Sequence, residues 1–256
     1  MASCPFLESA GPLAFAHRGG AAEAPENSWA AFEHAAALGF RYMETDVRAS
    51  ADGVAVAFHD ATVGRVTNGR GLVRAMDWHR LSALTLEDGS HIPRLDELLA
   101  SHPGLRWNLD VKERSAVGPV ARALDKTASG DRALVAASSE RRSRAVSTAL
   151  GSYVARGAGT WTVAALVVAK YLPTLKLHPE VVAAQVPPSR NGARILDDRF
   201  ISACHRAGLA VHVWTVNDAA DMDRWLDLGV DGVMTDRPSM LRDVLVRRGQ
   251  WPGGQT

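Results

Sequence analysis

The sequence has no surplus of charge of either sign. Its 256 residues contain 29 Lys and Arg against 28 Asp and Glu, a formal net charge of +1 at pH 7. Without a basic surplus to neutralise a run of phosphates, a dedicated nucleic-acid binder is disfavoured. The sequence also lacks an acidic surplus, and this disfavours a highly solvated, disordered chain. The hydrophobic fraction of 46% and the charged fraction of 22% are those of an ordinary globular protein.

Cysteines and long apolar runs are also scarce. There are two cysteines, Cys4 and Cys204, and free thiols are favoured over a disulfide between them, although the pairing stays open. The best apolar candidate, residues 163–172, is about half as long as a membrane span and contains Lys170. The N-terminus, MASCPFLESAG, lacks the basic and apolar regions of a secretory signal. These features predict a cytoplasmic protein with no stable membrane insertion.

What the sequence does contain is a repeated alternation of short apolar runs and helix-like segments. Such alternation indicates a parallel sheet, and both a closed barrel and an open doubly wound sheet fit it. About eight units in one chain of this length favour an α/β fold of the TIM-type (β/α)8 class, and AHRGGAAEAP is not a dinucleotide-binding turn. Asn27 is predicted to cap the first helix, and Gly208 and Gly229 to end two later ones. The predicted runs are 13–16, 42–47, 54–58, 106–111, 133–136, 153–155, 181–186, 210–214 and 232–234.

One stretch, from about residue 60 to residue 91, breaks this rhythm. It is rich in Gly and Arg, and no strand–helix unit fits it. We therefore expect a single domain over residues 1–256, with a small insertion at 60–91 near the mouth of the barrel.

Several carboxylates lie toward the ends of the predicted strands, where a parallel barrel forms its active site. Glu44 and Asp46 are two residues apart on one strand, so their side chains share a face, and the same holds for Asp110 and Lys112. Carboxylates held side by side repel each other unless a cation or a proton relieves them. Glu44, Asp46 and Asp110 therefore predict a site for one hard divalent cation, Ca²⁺ or Mg²⁺.

Basic and titratable side chains at the same strand ends predict a phosphate ester as the substrate. Arg18 and Lys112 are suited to hold its non-bridging oxygens, and His17 and His59 to transfer protons near neutral pH. A single histidine in such a place is more often structural, but the combined set predicts a hydrolytic metal site. Trp214, near the end of a late strand, fits barrel filler and substrate lining equally well.

Two segments carry a resemblance to a known family. The run AHRGGAAEAPENSWAAFEHAAALGFRYMETDVRASADGVAVAFHDATVGRVTNGRG resembles the N-terminal signature of the glycerophosphodiester phosphodiesterase family. It has HRG, a PENT-like segment, an E-x-D strand, a D-G turn and an HD pair in that order. VHVWTVND followed by LGVDGVMTDRP resembles the last two barrel strands of the family. The resemblance extends from about Ala14 to Leu241 and is weak over residues 115–196.

The resemblance implies a barrel with an inserted subdomain and a specific reaction. The reaction is the hydrolysis of glycerophosphodiesters to sn-glycerol 3-phosphate and an alcohol, with one divalent cation and a small-molecule substrate. The implied roles are general acid and base for His17 and His59, phosphate binding for Arg18, and metal binding for Glu44, Asp46 and Asp110. Lys112 matches the lysine after the third ligand, and Glu26 and Asn27 fall in the supporting PENT-like segment.

The sequence departs from the family pattern at three places. Ser28 stands where Thr is usual and keeps the capping hydroxyl, Asp110 stands where Glu is most frequent, and residues 137–140 lack the usual Ser-Phe pair. The shorter Asp110 withdraws its carboxylate by one methylene group.

Two alternatives to this function stay open. One is a related phospholipase D-like enzyme that acts on lysophospholipids or sphingolipids. An apolar entry surface would favour it, and residues 161–172 are the candidate, although a core-facing helix is the preferred interpretation of that segment. The other is a phosphodiester-binding barrel without activity.

Overall fold

The computed structural model describes residues 4–151, 153–172, 180–190 and 192–251. The strands are β1 (Leu13–Ala16), β2 (Tyr42–Ala49), β3 (Ala55–Ala57), β4 (Arg106–Val111), β5 (Ala133–Ala136), β6 (Ala155–Arg156), β7 (Ala183–Val186), β8 (Ser189–Arg190), β9 (Ala193–Arg194), β10 (Ala210–Val213) and β11 (Gly232–Thr235). The helices are α1 (Trp29–Ala37), α2 (Trp78–Ser82), α3 (Leu95–Ser101), α4 (Val117–Lys126), α5 (Glu140–Leu150), α6 (Thr160–Ala169), α7 (Asp198–Arg206), α8 (Ala219–Asp227) and α9 (Pro238–Arg247).

Eight parallel strands form the central barrel, in the order β6-β5-β4-β2-β1-β11-β10-β7. A parallel bridge between Gly157 and Ala183 joins the two ends of this order, so the sheet closes. The predicted TIM-type barrel is therefore confirmed and the open doubly wound sheet is wrong. Strands such as β1 and β11 are buried along their whole length, as expected where helices cover one face and barrel contents the other.

The run at 54–58 is the one predicted strand that does not belong to the barrel. Its central part, β3, pairs antiparallel with β2, with Val47 opposite Ala57. The chain then enters the region predicted as an insertion, where isolated bridges such as Thr62–Leu72 and Thr67–Leu86 replace regular strands. A separate apolar cluster that includes Phe58, Val73 and Leu81 fills it.

The start of α1 differs from the prediction. Ser28, not Asn27, is the N-cap, and its hydroxyl accepts a hydrogen bond from Ala31 N at 3.1 Å. Asn27 instead adopts a left-handed conformation with φ of 56°. The reason is that its side chain is used elsewhere, in a hydrogen bond from Nδ2 to Asp46. Gly208 and Gly229 do follow α7 and α8 with positive φ, as predicted.

Helix α6 also departs from the prediction of a core-facing segment. Leu166 and Ala169 are buried, but Trp161 is 81% exposed and Tyr171 is 62% exposed. The segment therefore has an apolar face on each side, because only one side of a helix can pack against a barrel.

Cys4 and Cys204 are free thiols, as predicted, and Cys204 is buried. Within the ranges given above, no helix is both long and apolar enough to span a bilayer. The cytoplasmic location and the single domain over 1–256 stay predictions.

The barrel encloses a histidine, His212, that lies far from solvent. Its ring centroid is 4.9 Å from that of Phe15, and Gln185 Nε2 donates a hydrogen bond to its Nδ1 at 3.1 Å. Within the described residues, the ring Nε2 has no partner. Burial without a partner for the second proton disfavours the imidazolium and lowers the pKa of His212 to about 4.

His212 should therefore make folding stability depend on pH. Because its pKa is lower in the folded state, the unfolded state binds the extra proton as pH falls from about 6.5 to about 4, so stability decreases over that range. The full effect is up to about 3 kcal/mol. Denaturant unfolding of wild type and His212→Asn between these pH values should show a shallower slope in the variant. The exposed His79→Asn should keep the wild-type slope, and a slope unchanged in His212→Asn would contradict the assignment.

Candidate active site

The first loop after β1 carries two of the predicted site residues. His17 and Arg18 begin a short 3-10 turn, Arg18 has φ of 53°, and Gly19 has φ of 80°. A Cβ on Gly19 would lie 2.7 Å from the Cβ of Ala31. Only glycine therefore lets this turn pack closely on α1 and keep both side chains at the mouth of the barrel.

The three predicted metal-binding carboxylates lie on two neighbouring strands. In the parallel register of β2 and β4, Asp46 is opposite Asp110 and Glu44 is opposite Asn108. Glu44 and Asp46 are almost fully buried. Glu44 Oε2 accepts a hydrogen bond from the backbone N of Arg18 at 3.0 Å, so the first loop contacts the carboxylate strand directly.

Two basic side chains hold these carboxylates. Lys112 Nζ lies 2.7 Å from Asp46 Oδ1 and 2.6 Å from Asp110 Oδ2, and Arg18 Nε lies 3.1 Å from Asp46 Oδ2. Burial alone would raise the pKa of Asp46, but the charges of Lys112 and Arg18 outweigh it and lower that pKa. The structure thus brings together four of the predicted site residues.

Glu44 has the opposite electrostatic balance. Burial and the neighbouring charge of Asp46 raise the pKa of Glu44 to about 7. The adjacent His17 has its Nε2 3.7 Å from Glu44 Oε2. Burial disfavours the charged form of His17, but Glu44 and Asp236 more than compensate and raise its pKa.

Each of the two predicted catalytic histidines is held by its own carboxylate. His17 Nδ1 lies 2.6 Å from Asp236 Oδ1, and His59 Nδ1 lies 2.6 Å from Asp60 Oδ1. The backbone N of Phe58 donates to Asp46 O at 2.9 Å, which places the next residue, His59, beside the carboxylate strand. A carboxylate on Nδ1 fixes the tautomer and leaves Nε2 for proton transfer.

A clamp from the insertion joins the two sides of the mouth. Arg65 donates to Asp60 at 2.6 Å and to both oxygens of Glu26 at 2.9 and 2.6 Å. Glu26 in turn accepts from Arg18 at 3.2 Å. The hydrogen bond from Arg65 is the main reason that the pKa of Asp60 falls to about 2. The insertion therefore fixes the partner of His59 and, through Glu26, the guanidinium of Arg18.

Trp214 follows β10 at the same end of the barrel and is 40% exposed. Its exposure excludes the interpretation as barrel filler. A role in lining the substrate stays a prediction, as do the individual roles of the other predicted site residues.

Sequence reasoning missed the support of His17. Asn217 Nδ2 donates to Asp236 Oδ2 at 2.7 Å, and Asn217 Oδ1 accepts from Asp236 N at 2.8 Å. The one sequence signal was the position of Asp236 directly after β11, and the predicted run ended at Met234, one residue before the strand does.

The donor chemistry of the site fits a hard cation. Three carboxylates lie on the neighbouring strands β2 and β4, Glu44 is costly to keep charged, and Asn108 Oδ1 is a buried acceptor without a partner in the described ranges. All of these are oxygen ligands of the kind that Ca²⁺ and Mg²⁺ prefer. In the described part of the chain, no three His, Cys, Asp or Glu side chains are already arranged as a metal site. The Lys112 ammonium group contacts both Asp46 and Asp110.

Fold and site together define an α/β-barrel enzyme whose paired histidines, arginine and lysine suit phosphate ester chemistry. The model of the glycerophosphoryl diester phosphodiesterase family matches residues 17–240. The chain belongs to that family, which confirms the resemblance found in the sequence.

Individual relatives agree with this assignment. The chain is 38% identical to a probable glycerophosphodiester phosphodiesterase 2 of Mycobacterium tuberculosis, over 97% of this chain and 96% of that one. A solved glycerophosphodiester phosphodiesterase from Agrobacterium tumefaciens is 25% identical, with a TM-score of 0.73 over 90% of this chain and 98% of that one. An Oleispira antarctica phosphodiesterase, solved in complex with the product sn-glycerol-3-phosphate, is 24% identical, with a TM-score of 0.76 over 92% and 97% of the two chains. The similarity to the Oleispira antarctica structure, at 24% identity, shows the fold alone.

The carboxylate behind His17 gives a specific prediction. Asp236→Asn removes the charge that orients the imidazole and stabilises its protonated form, so kcat for a glycerophosphodiester should fall by about 100-fold or more. Steady-state kinetics and thermal unfolding measure this. Asp231→Asn is the matched control, because Asp231 also pairs with a histidine, His205, but lies at the other end of β11. Near-wild-type kcat in Asp236→Asn would contradict the positioning role.

Proposed function

We propose that the protein hydrolyses glycerophosphodiesters to sn-glycerol 3-phosphate and an alcohol. One observation carries this proposal: two histidines, each with Nδ1 held by a carboxylate at 2.6 Å, accompany two buried carboxylates, the more accessible Asp110 and two basic groups. Family membership and the mycobacterial relative support the substrate class.

Arg18 and Lys112 bind the phosphodiester in this proposal. Arg18 is already oriented by Glu26 and Asp46, and a planar guanidinium suits two phosphate oxygens at once. Lys112 carries a full positive charge at neutral pH, because Asp110 and Asp46 overcome the effect of burial and raise its pKa. Both groups stabilise the negative charge that increases at phosphorus in the transition state.

A divalent cation, Ca²⁺ or Mg²⁺, completes the proposed site, with Glu44, Asp46 and Asp110 as its protein ligands. When bound, such a cation supplies Lewis acidity that lowers the pKa of a substrate hydroxyl and neutralises phosphate charge. Asp110 is the most accessible of the three carboxylates, with 31% of its side chain exposed, so it has room to exchange Lys112 for another partner.

His17 and His59 carry the protons. One imidazole accepts the proton of the attacking glycerol hydroxyl, whose oxygen bonds to phosphorus to form a cyclic phosphodiester, and the other donates a proton to the alcohol oxygen as its bond to phosphorus breaks. Water then opens the cyclic ester with the two histidines in exchanged roles, which gives sn-glycerol 3-phosphate. Asp236 and Asp60 hold the Nδ1 atoms, so both transfers take place at Nε2. This division avoids a free alkoxide on either side of the phosphorus.

His17→Ala and His59→Ala should each remove most of the turnover of glycerophosphocholine. The expected loss is about 100-fold to 10,000-fold, the range for one acid–base group. Released sn-glycerol 3-phosphate is the readout, and the folding transition should stay near wild type. The exposed His79→Ala is the matched control. Turnover close to wild type in either site variant would overturn the His/His mechanism.

A chelator should abolish activity, and added Ca²⁺ or Mg²⁺ should restore it. A second readout is independent of turnover: a cation that binds the folded state raises the melting temperature. This increase should shrink in Asp110→Ala and persist in Asp125→Ala, a change on the exposed face of α4. Full activity in the chelated protein would exclude the cation from the proposal.

Lysophospholipid hydrolysis is a second candidate because α6 exposes an apolar face. The same assay with lysophosphatidylcholine distinguishes the two substrates. Faster turnover of the lipid than of glycerophosphocholine would favour a phospholipase D-like enzyme. Binding of both without turnover would favour a binding barrel.

A further inference from the structure

The outer face of α6 and of the turn after it is an uninterrupted apolar stripe, formed by Trp161, Ala164, Val168, Tyr171 and Leu172. All five are exposed, and Val168 and Leu172 are 54% and 50% exposed. Their spacing of three or four residues places them along one side of the helix. We call this surface the α6 stripe.

The corresponding surface of α4 shows how unusual the α6 stripe is. Both helices have ten residues and cover the barrel, but the outer face of α4 exposes Arg122, Asp125 and Lys126. A solvated helix needs such charges on its free side, and a row of aromatic and aliphatic residues marks a contact surface.

Charge is distributed unevenly along the chain, despite the net value of +1. Residues 139–206, which contain α5, α6 and α7, carry ten Lys and Arg against four Asp and Glu. The rest of the chain carries 19 Lys and Arg against 24 Asp and Glu. The apolar stripe therefore lies within the basic part of an otherwise slightly acidic protein.

Contacts place arginines at both ends of the α6 stripe. At its start, Glu140 Oε1 accepts from Thr162 N at 2.8 Å, and a Cβ on Gly159 would lie 2.9 Å from Glu140. The exposed Arg141 is thus next to the first turn of α6. At its end, the exposed Arg206 donates to Ala169 O at 3.5 Å.

Two further exposed arginines lie on the β8–β9 hairpin. Arg190 pairs with Ala193, and Arg194 pairs with Ser189. The hairpin follows the C-terminal end of β7. The segment that leads into α6 forms a parallel bridge with β7, between Gly157 and Ala183. The hairpin and Trp161 therefore lie at the same end of the barrel.

We propose that the α6 stripe and the arginines around it dock the protein on a bilayer that contains anionic phospholipids. Trp161 and Tyr171 suit the boundary between head groups and acyl chains, and Val168 and Leu172 enter the apolar layer between them. Arg141, Arg190, Arg194 and Arg206 face the negative head groups. The helix lies in the plane of the interface and does not cross it. The inference does not rest on the proposed function.

Co-sedimentation with vesicles tests the proposed membrane docking. One set of vesicles contains about three parts phosphatidylcholine to one part phosphatidylglycerol, and the other contains phosphatidylcholine alone. Wild type should bind the anionic vesicles and be released as salt rises from about 0.1 M to about 1 M. Trp161→Ser with Tyr171→Ser should weaken the partition coefficient by about tenfold or more. Arg190→Gln with Arg194→Gln should weaken it by about 25-fold, since each such arginine contributes roughly fivefold.

Matched controls come from other exposed positions. Val246→Ser on α9, where Val246 is 56% exposed, and Arg74→Gln in the insertion should keep wild-type binding. All variants should hydrolyse soluble glycerophosphocholine at the wild-type rate, so a failure of the proposed function is recognised separately.

Three outcomes would overturn the proposal. Wild type could fail to bind anionic vesicles, or the stripe variants could bind as well as wild type. A concentration-dependent dimer that Trp161→Ser abolishes would assign the α6 stripe to a second copy of the chain instead.

Discussion

The site depends on one half-buried ammonium group between two carboxylates. Lys112 Nζ contacts Asp46 and Asp110 at 2.7 and 2.6 Å, and without it two like charges would face each other across adjacent strands. Asp46 is almost fully buried, so the loss of Lys112 would leave its charge without one of its two basic partners. The pairing also requires a fixed register of β2 and β4, because a shift by one residue would turn every side chain to the other face. The strand register that forms the barrel is therefore also the register that brings the charged groups of the site together.

Two residues of the loop after β1 adopt an uncommon backbone conformation that lets their side chains reach Asp46. Arg18 and Asn27 both have φ above 50°, a conformation that non-glycine residues seldom adopt. Each sends its side chain to Asp46, the arginine as an ion pair and the asparagine through a hydrogen bond at 3.1 Å. Strain of about 1–3 kcal/mol per residue persists where surrounding contacts determine the conformation. Here the contacts that determine the conformation are those of Arg18 and Asn27 with Asp46, a residue of the candidate site.

The sequence was sufficient to predict the barrel and which side chains share a strand face at its mouth, because strand spacing is read directly from the residues. Glu44, Asp46, Asp110 and Lys112 come together as their two-residue spacing requires. The support of His17 was not predictable from spacing, since Asp236 and His17 are 219 residues apart and meet only because β1 pairs with β11. The cap of α1 was misassigned, because Asn27 and Ser28 are both good N-caps and only the carboxylate network distinguishes them. The orientation of α6 was equally hidden, because its sequence is apolar on every side.

The mouth of the barrel has two different sides, one formed by the insertion and the other by the basic segment 139–206. Arg65 closes one side by holding Asp60 and Glu26, so His59 and Arg18 depend on a segment outside the barrel. The opposite side, above β6 and β7, exposes Trp161 at the start of α6 and the arginines of the hairpin. An ion-paired clamp on one side and a basic, apolar rim on the other make the mouth asymmetric. The near-zero net charge thus combines two separate balances: buried opposite charges within the site, and a positive outer sector that offsets an acidic remainder.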